Sequence, residues 1–181
     1  VIIKAAYGGR SLAVDFRPPL SGEGNYPPIK PHKYGWEYRQ MVTDFVDGLD
    51  KIPEFYPGYD KDAGYELAGF VWFQGWNDMI SWPYVKEYEW NLANFIRDVR
   101  LELDVPDLPF IVGELGMHGV NVTGRGSDRV MAFRAAERGV TMMEEFRNNT
   151  LFVPTASYVV ANGTAYNGGY HYNGRANHSD L

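Results

Sequence analysis

Cysteine is absent from the 181 residues, and histidine occurs only four times. Without cysteine there can be no disulfide bond, no thiolate metal ligand and no cysteine nucleophile. The histidines show no His-x-x-x-His or comparable spacing, so the sequence predicts no metal site. The absence of cysteine leaves the cellular compartment open.

Long apolar runs and clusters of positive charge are lacking as well. No apolar run approaches the roughly 18 residues that a membrane-spanning helix needs, so no membrane association is predicted. The net charge is −6 and no basic run occurs, which predicts no nucleic-acid partner. No signal peptide is visible, and because the chain opens on Val1 in an apolar run, we expect its true start to lie upstream.

Apolar residues make up 45% of the chain and aromatic residues 15%, which is enough for the core of a single domain over residues 1–181. Strand-like segments alternate with amphipathic helical segments along the chain. The predicted strands are 1–9, 67–73, 109–116 and 150–160, the helices are 38–49, 85–103 and 129–146, and a last helix begins near 170. This alternation is typical of an α/β fold with a parallel sheet.

Polar residues and glycines follow each predicted strand. In an open α/β sheet the ligand site lies outside the carboxyl ends of the strands, so these residues are the candidates for a site. They are Gly8, Gly9, Arg10 and Ser11 after the first strand, Gln74, Trp76, Asn77 and Asp78 after the second, Glu114 after the third, and His171 in the loop after the fourth.

A glycine pair and an asparagine at neighbouring strand ends suit an oxyanion hole for acyl transfer. Glycine lets the backbone approach a substrate closely. Its N–H and the amide of Asn77 are fixed neutral donors, each worth roughly 3–4 kcal/mol to a developing oxyanion. A histidine such as His171 would then be the general base.

Four short motifs resemble those of the SGNH hydrolases, and of their sialate O-acetylesterase-like carbohydrate esterase branch in particular. GWND (75–78) matches the Gly-x-Asn-Asp block, and WFQG (72–75) looks like the branch's Trp-Tyr-Gln-Gly. YGGRSL (7–12) resembles its Gly-Gly-Thr/Ser segment, and YHYNG (170–174) falls where the family keeps its catalytic histidine.

The resemblance implies a flavodoxin-like three-layer fold and hydrolysis of O-acetyl groups from a sugar through a serine acyl-enzyme. It assigns His171 as the base and Gly9 and Asn77 as oxyanion donors, with no cofactor and an extracytoplasmic location. Gly8, Gln74, Trp76 and Glu114 are the predicted substrate-binding residues.

Two departures from the family pattern concern the catalytic triad. The nucleophilic serine block precedes the glycine block in the family, and nothing precedes Val1 here. The aspartate expected three residues before the histidine is replaced by Gly168, so the third member is unassigned or the enzyme uses a Ser–His dyad. Because the first strand of a flavodoxin-like sheet is central and the last predicted helix stops at Leu181, we expect truncation at both ends. Because the nucleophilic serine is missing, we expect no activity in this chain alone.

Each assignment has a structural alternative. The glycine pair could be only a tight turn, Asn77 could cap the next helix, and Gln74 and Trp76 could be turn and core residues. His171 competes with the other three histidines, His32, His118 and His178. Glu114 could be either a site residue or a structural hydrogen-bond acceptor.

Two other functions fit some of the same residues. A glycoside hydrolase could use Asp78 and Glu114 as its carboxylate pair, although the barrel that usually carries this chemistry needs more βα units. A carbohydrate-binding relative that has lost catalysis would show the missing serine and Gly168. The sugar, the acyl group and the oligomeric state cannot be inferred from the sequence.

Overall fold

The computed structural model describes residues 1–158 and contains a parallel three-stranded sheet. Its strands are β1 (Phe70–Trp72), β2 (Phe110–Gly113) and β3 (Thr150–Val153), and its helices are α1 (Trp36–Asp50), α2 (Ile52–Phe55), α3 (Trp76–Met79), α4 (Trp82–Glu102) and α5 (Ser127–Met142). The strand order is β1-β2-β3, with α4 linking the first pair and α5 the second. The predicted α/β class with a parallel sheet is confirmed.

Helix α4 is central to the packing because its apolar stripe is buried along its length. Val85, Tyr88, Leu92, Phe95 and Val99 recur at helical spacing and are at most 5% exposed. The Phe95 ring meets Phe70 and Phe110 edge-on at centroid distances of 5.9 and 6.3 Å. The stripe read from the sequence is therefore the surface that covers one face of the sheet.

Helix α5 packs beside α4, and glycine permits the close approach. A Cβ atom at Gly139 would lie 2.5 Å from a carboxylate oxygen of Glu89 on α4. The glycine in the middle of α5 thus marks a contact between the two helices.

The opposite face of the sheet exposes one row of apolar side chains. Val71, Ile111 and Leu151 occupy matching positions in the register and are 67%, 37% and 60% exposed. Alternate residues of the same strands, such as Trp72 and Val112, are buried under α4 and α5.

The predicted strand over residues 1–9 is wrong. These residues pair with none of the three strands, and Val1 and Ile2 are 82% and 92% exposed. A strand needs a partner for its backbone hydrogen bonds, and an apolar run carries no information about whether one is available. The other predicted strands form but are shorter, and the last predicted helix lies outside the described residues.

Candidate functional site

The glycine loop, residues 8–15, contains a left-handed turn and a buried serine. Gly9 has a φ of +72°, which residues with a side chain rarely adopt. The N–H and the hydroxyl of Ser11 both donate to Asp15 Oδ2, at 2.8 and 3.0 Å. Because Ser11 is only 3% exposed, its hydroxyl stabilises the turn and is not presented to a ligand.

The chain that leaves β1 turns at Gly75 into the short helix α3, which carries Asn77 and Asp78. A Cβ atom at Gly75 would overlap the ring of Phe133 on α5. Glycine therefore allows the strand end to lie directly against α5, and this contact fixes where α3 begins.

Asp78 joins α3 to the glycine loop. It is fully buried, and its carboxylate accepts the N–H groups of Leu12 and Ala13 at 2.8 and 2.9 Å. It also accepts a hydrogen bond from Gln74 Nε2 at 2.8 Å. Burial raises the pKa of Asp78 to about 6, although these hydrogen bonds act in the opposite direction.

The Gln74 amide is held by protein groups at both ends. Its Nε2 also donates to the carbonyl of Arg10 at 2.9 Å, and its Oε1 accepts from the Tyr88 hydroxyl at 3.4 Å. Tyr88 donates as well to the Gln74 carbonyl, at 2.9 Å, and accepts from Trp72 Nε1, at 3.1 Å. The side chain of Gln74 thus positions the glycine loop, and its contact with substrate stays a prediction.

Asn77 and Gly9 lie side by side, as the sequence predicted. A Cβ atom at Gly9 would lie 4.0 Å from Asn77 Nδ2. Asn77 is half-buried, and within residues 1–158 its side chain has no hydrogen-bond partner. It lies inside α3 and caps neither α3 nor α4, so the capping alternative is wrong, and no described residue occupies the amide.

Trp76 and Gly8 flank this pair in different ways. The Trp76 side chain is half-buried and packs against the main core. A Cβ atom at Gly8 would meet nothing within 4 Å, so the loop is open to solvent there. Substrate contact by either residue stays a prediction.

Glu114, at the end of β2, binds the chain that follows β3. Its Oε2 accepts the N–H groups of Thr155 and Ala156, both at 2.9 Å, and Arg134 Nε lies 3.7 Å from Oε1. Its side chain is 12% exposed. This pattern favours the structural alternative for Glu114, and a substrate contact remains only a prediction.

Two buried side chains of α5 hold the chain after β2. Arg134 donates to the carbonyls of Leu115, Met117 and Gly119 at 2.7–3.1 Å. The Glu137 carboxylate accepts the Leu115 N–H, with both oxygens at 3.1 Å. Burial raises the pKa of Glu137 well above its usual range.

Asp78 and Glu114 do not form the carboxylate pair that glycoside cleavage would need. That chemistry uses two carboxyl groups flanking a substrate bond. Asp78 is fully buried, and both of its oxygens accept protein hydrogen bonds. The geometry therefore does not support the glycoside hydrolase alternative.

The sequence reasoning missed the positioning residues behind the glycine loop. Arg10 Nε lies 2.7 Å from Oε1 of the fully buried Glu37 on α1, and its guanidinium lies 5.0 Å from the centre of the Trp36 ring. Burial raises the pKa of Glu37. The spacing of Gln74 and Asp78, four residues apart, could have suggested their contact, but nothing in the local pattern links Arg10 to Glu37.

The remaining predictions concern the other histidines, metals and membranes. His171 and Gly168 lie outside the described residues, whereas His118 is exposed in the turn after β2 with a φ of +67°. Within residues 1–158, no cluster of three or more histidine, aspartate or glutamate side chains could hold a metal ion. No helix of this part of the chain is long and apolar enough to cross a bilayer.

Comparison with known proteins gives one family match. A model of the family described as carbohydrate esterase, sialic acid-specific acetylesterase, matches residues 2–179. A search of curated proteins gave no significant match.

One solved structure resembles the fold, that of a protein from Arabidopsis thaliana. It is 18% identical with a TM-score of 0.54, and the alignment covers 87% of this chain and 49% of that protein. The chain thus spans about half the length of the solved structure that it matches, and the likeness bears on the fold alone.

Proposed function

Because the chain belongs to the sialic acid-specific acetylesterase family of carbohydrate esterases, we propose that it removes O-acetyl groups from sugars through a serine acyl-enzyme. The observation that carries the proposal is that Gly9 lies beside Asn77, whose side-chain amide has no hydrogen-bond partner within residues 1–158. An unpaired donor beside an exposed glycine backbone suits a developing oxyanion.

The reaction would proceed in two steps with defined proton transfers. His171 takes the proton of the serine hydroxyl, and the serine oxygen attacks the acetyl carbonyl carbon. The Gly9 N–H and the Asn77 amide stabilise the oxyanion, and His171 then protonates the departing sugar oxygen, which leaves as a hydroxyl. Water, deprotonated by His171, attacks the carbonyl carbon of the acyl-enzyme, and His171 returns the proton to the serine oxygen as acetate is released.

The nucleophile is proposed to be a serine other than Ser11. A nucleophile must reach the substrate carbonyl, whereas Ser11 is 3% exposed and its hydroxyl donates to Asp15. The tests below therefore use a protein that includes the serine block expected from the family resemblance.

Asp78 and Gln74 would act as positioning residues. They bind the N–H groups of Leu12 and Ala13 and the carbonyl of Arg10, and these contacts fix the glycine loop beside Asn77. The donors would then be oriented before the substrate arrives, which is what makes an oxyanion hole effective.

Replacing Asn77 by alanine tests the proposal. We expect Asn77→Ala to lower kcat for deacetylation of an acetylated sugar by roughly 10²–10³-fold with little change in KM, because the amide acts mainly in the transition state. Asn148→Ala is the matched control, since Asn148 is exposed just before β3, at the opposite ends of the strands.

Two results would contradict the proposal. Deacetylation that is unaffected by Asn77→Ala would remove the oxyanion assignment. Sugar binding without any ester hydrolysis would favour the non-catalytic carbohydrate-binding alternative.

A further inference from the structure

A cleft lies between the proline-rich segment that follows the glycine loop and the start of α1. Its volume is about 470 Å³, and its walls include Pro18, Pro19 and Tyr34. This volume falls within the range of small-molecule sites. None of the proposed catalytic residues of the described chain lines this cleft.

A tyrosine of the cleft wall has a buried hydroxyl with no partner among the described residues. Tyr38 lines the cleft and is 3% exposed, and its ring packs edge-on against Phe95 at 5.6 Å. Its hydroxyl makes no hydrogen bond with the described residues. Buried polar groups are nearly always hydrogen-bonded, so this hydroxyl calls for a partner beyond the described residues.

The cleft also contains an arginine with unused donors. The Arg39 side chain makes one hydrogen bond, from Nη1 to the Tyr34 carbonyl at 3.1 Å, and no ion pair with the described residues. A guanidinium has five N–H donors arranged to bind a carboxylate in a bidentate manner. Arg39 therefore has the donors to bind an anionic group at the cleft.

The second arginine of the cleft, Arg17, differs from Arg39 because protein groups occupy its donors. Arg17 donates to the carbonyls of Ala13, Ser21 and Gly22 and also pairs with Glu87 at 3.0 Å. Its guanidinium is committed to holding the proline-rich segment. Arg17 is thus part of the wall, and Arg39 is the arginine that can receive a ligand.

The cleft adjoins the back of the glycine loop. Gly35 lines the cleft, and its N–H donates to the carbonyl of Val14 in the glycine loop at 2.7 Å. The cleft and the proposed oxyanion hole thus both border the glycine loop.

We propose that the cleft binds a carboxylate-bearing sugar unit, such as a uronate, of the same carbohydrate that is deacetylated. This inference rests on the proposed function for the sugar class. The Arg39 fork pairs with the carboxylate, the Tyr38 hydroxyl donates to a sugar oxygen, and Glu23 accepts from a sugar hydroxyl. Pro18, Pro19 and the ring of Tyr34 pack against the apolar faces of the sugar ring.

The test measures binding of unacetylated oligosaccharides to the chain by calorimetry. We expect an oligogalacturonate to bind at least about tenfold more tightly than the neutral galactose oligomer of equal length, because only the former pairs with Arg39. Arg39→Gln should remove most of that preference. Tyr38→Phe should weaken both ligands a few-fold while the ring keeps its contact with Phe95.

Arg147→Gln is the control for charge alone, since Arg147 is exposed at the opposite ends of the strands. The inference fails if the two oligomers bind equally, if neither binds, or if Arg147→Gln acts like Arg39→Gln. The probes carry no acetyl group, so binding is scored independently of turnover. In the protein that includes the serine block, deacetylation without uronate binding would overturn only the cleft, whereas uronate binding without deacetylation would support the cleft and overturn the proposed function.

Discussion

After β1, the buried carboxylate of Asp78 accepts hydrogen bonds from the N–H groups of Leu12 and Ala13 and from the side-chain amide of Gln74. After β2, the buried carboxylate of Glu137 holds the N–H of Leu115. Both carboxylates are fully buried, and burial raises the pKa of each. Each of the two loops is thus held in the same way, by a buried carboxylate that accepts hydrogen bonds from backbone N–H groups.

The two regions differ in what they leave available. Next to Asp78 in α3, the Asn77 amide has no partner within residues 1–158, and it lies close in space to Gly9. At the other loop, Glu114 binds the N–H groups of Thr155 and Ala156, and Arg134 binds three carbonyls. At the end of β1, the Asn77 amide is not bound by any described residue. At the end of β2, the polar side chains bind other parts of the chain and stabilise the fold. This difference favours the β1 end as the reactive one.

Among the changes that compare the two loops, the largest expected effect separates the two buried carboxylates by activity. Asp78→Asn should lower kcat by up to about 10²-fold, because an amide leaves one of the three donors facing an N–H group and shifts the glycine loop. Glu137→Gln should leave kcat nearly unchanged, since one amide oxygen can still accept the Leu115 N–H. Steady-state kinetics on an acetylated sugar measures both. Equal losses in the two variants would remove the distinction between the loops.

The pH dependence of stability gives a smaller effect with a definite sign. The pKa of Asp78 is raised from 3.8 to about 6, so the folded state holds this proton more tightly than the unfolded state. The resulting stabilisation is complete below about pH 4 and is lost as the pH rises to about 6, by on the order of 1 kcal/mol per pH unit. Asp78→Asn should lack this loss.

Urea unfolding of both proteins across this range measures the difference. Glu137→Gln serves as the comparison, because the pKa of Glu137 is raised well above its usual range. In the wild type, the stabilisation that comes from protonated Glu137 is therefore lost over a pH range that begins near the usual glutamate pKa and extends to higher pH. Parallel stability curves for wild type and Asp78→Asn would contradict the burial argument for Asp78.

The sequence was sufficient for features that depend on local periodicity. The apolar stripe of α4, with Tyr88 and Phe95, follows from helical spacing alone. The meeting of Gly9 and Asn77 followed from motif order and from the rule that sites lie at the carboxyl ends of parallel strands.

Features that depend on distant partners could not be predicted. Residues 1–9 have a strand-like composition, but no strand of the described chain pairs with them. Asp78 was expected to face a substrate only in the glycoside hydrolase alternative, and its backbone partners, Leu12 and Ala13, lie more than sixty residues away in the chain. The unpaired hydroxyl of Tyr38 likewise depends on how α1 packs, which the sequence pattern does not specify.

The smallest expected effect concerns Ser11, the serine closest in sequence to Gly9. Its hydroxyl donates to Asp15 and accepts from the Val14 N–H at 3.2 Å, so Ser11→Ala should lower the free energy of unfolding by only about 1 kcal/mol. Because the hydroxyl serves the turn and is buried, kcat for deacetylation should stay within about twofold of wild type. Urea unfolding and steady-state kinetics on the same preparation measure the two quantities. A variant that folds normally but loses turnover would make Ser11 the nucleophile, and the glycine loop would then supply both the attacking oxygen and the N–H that stabilises the oxyanion.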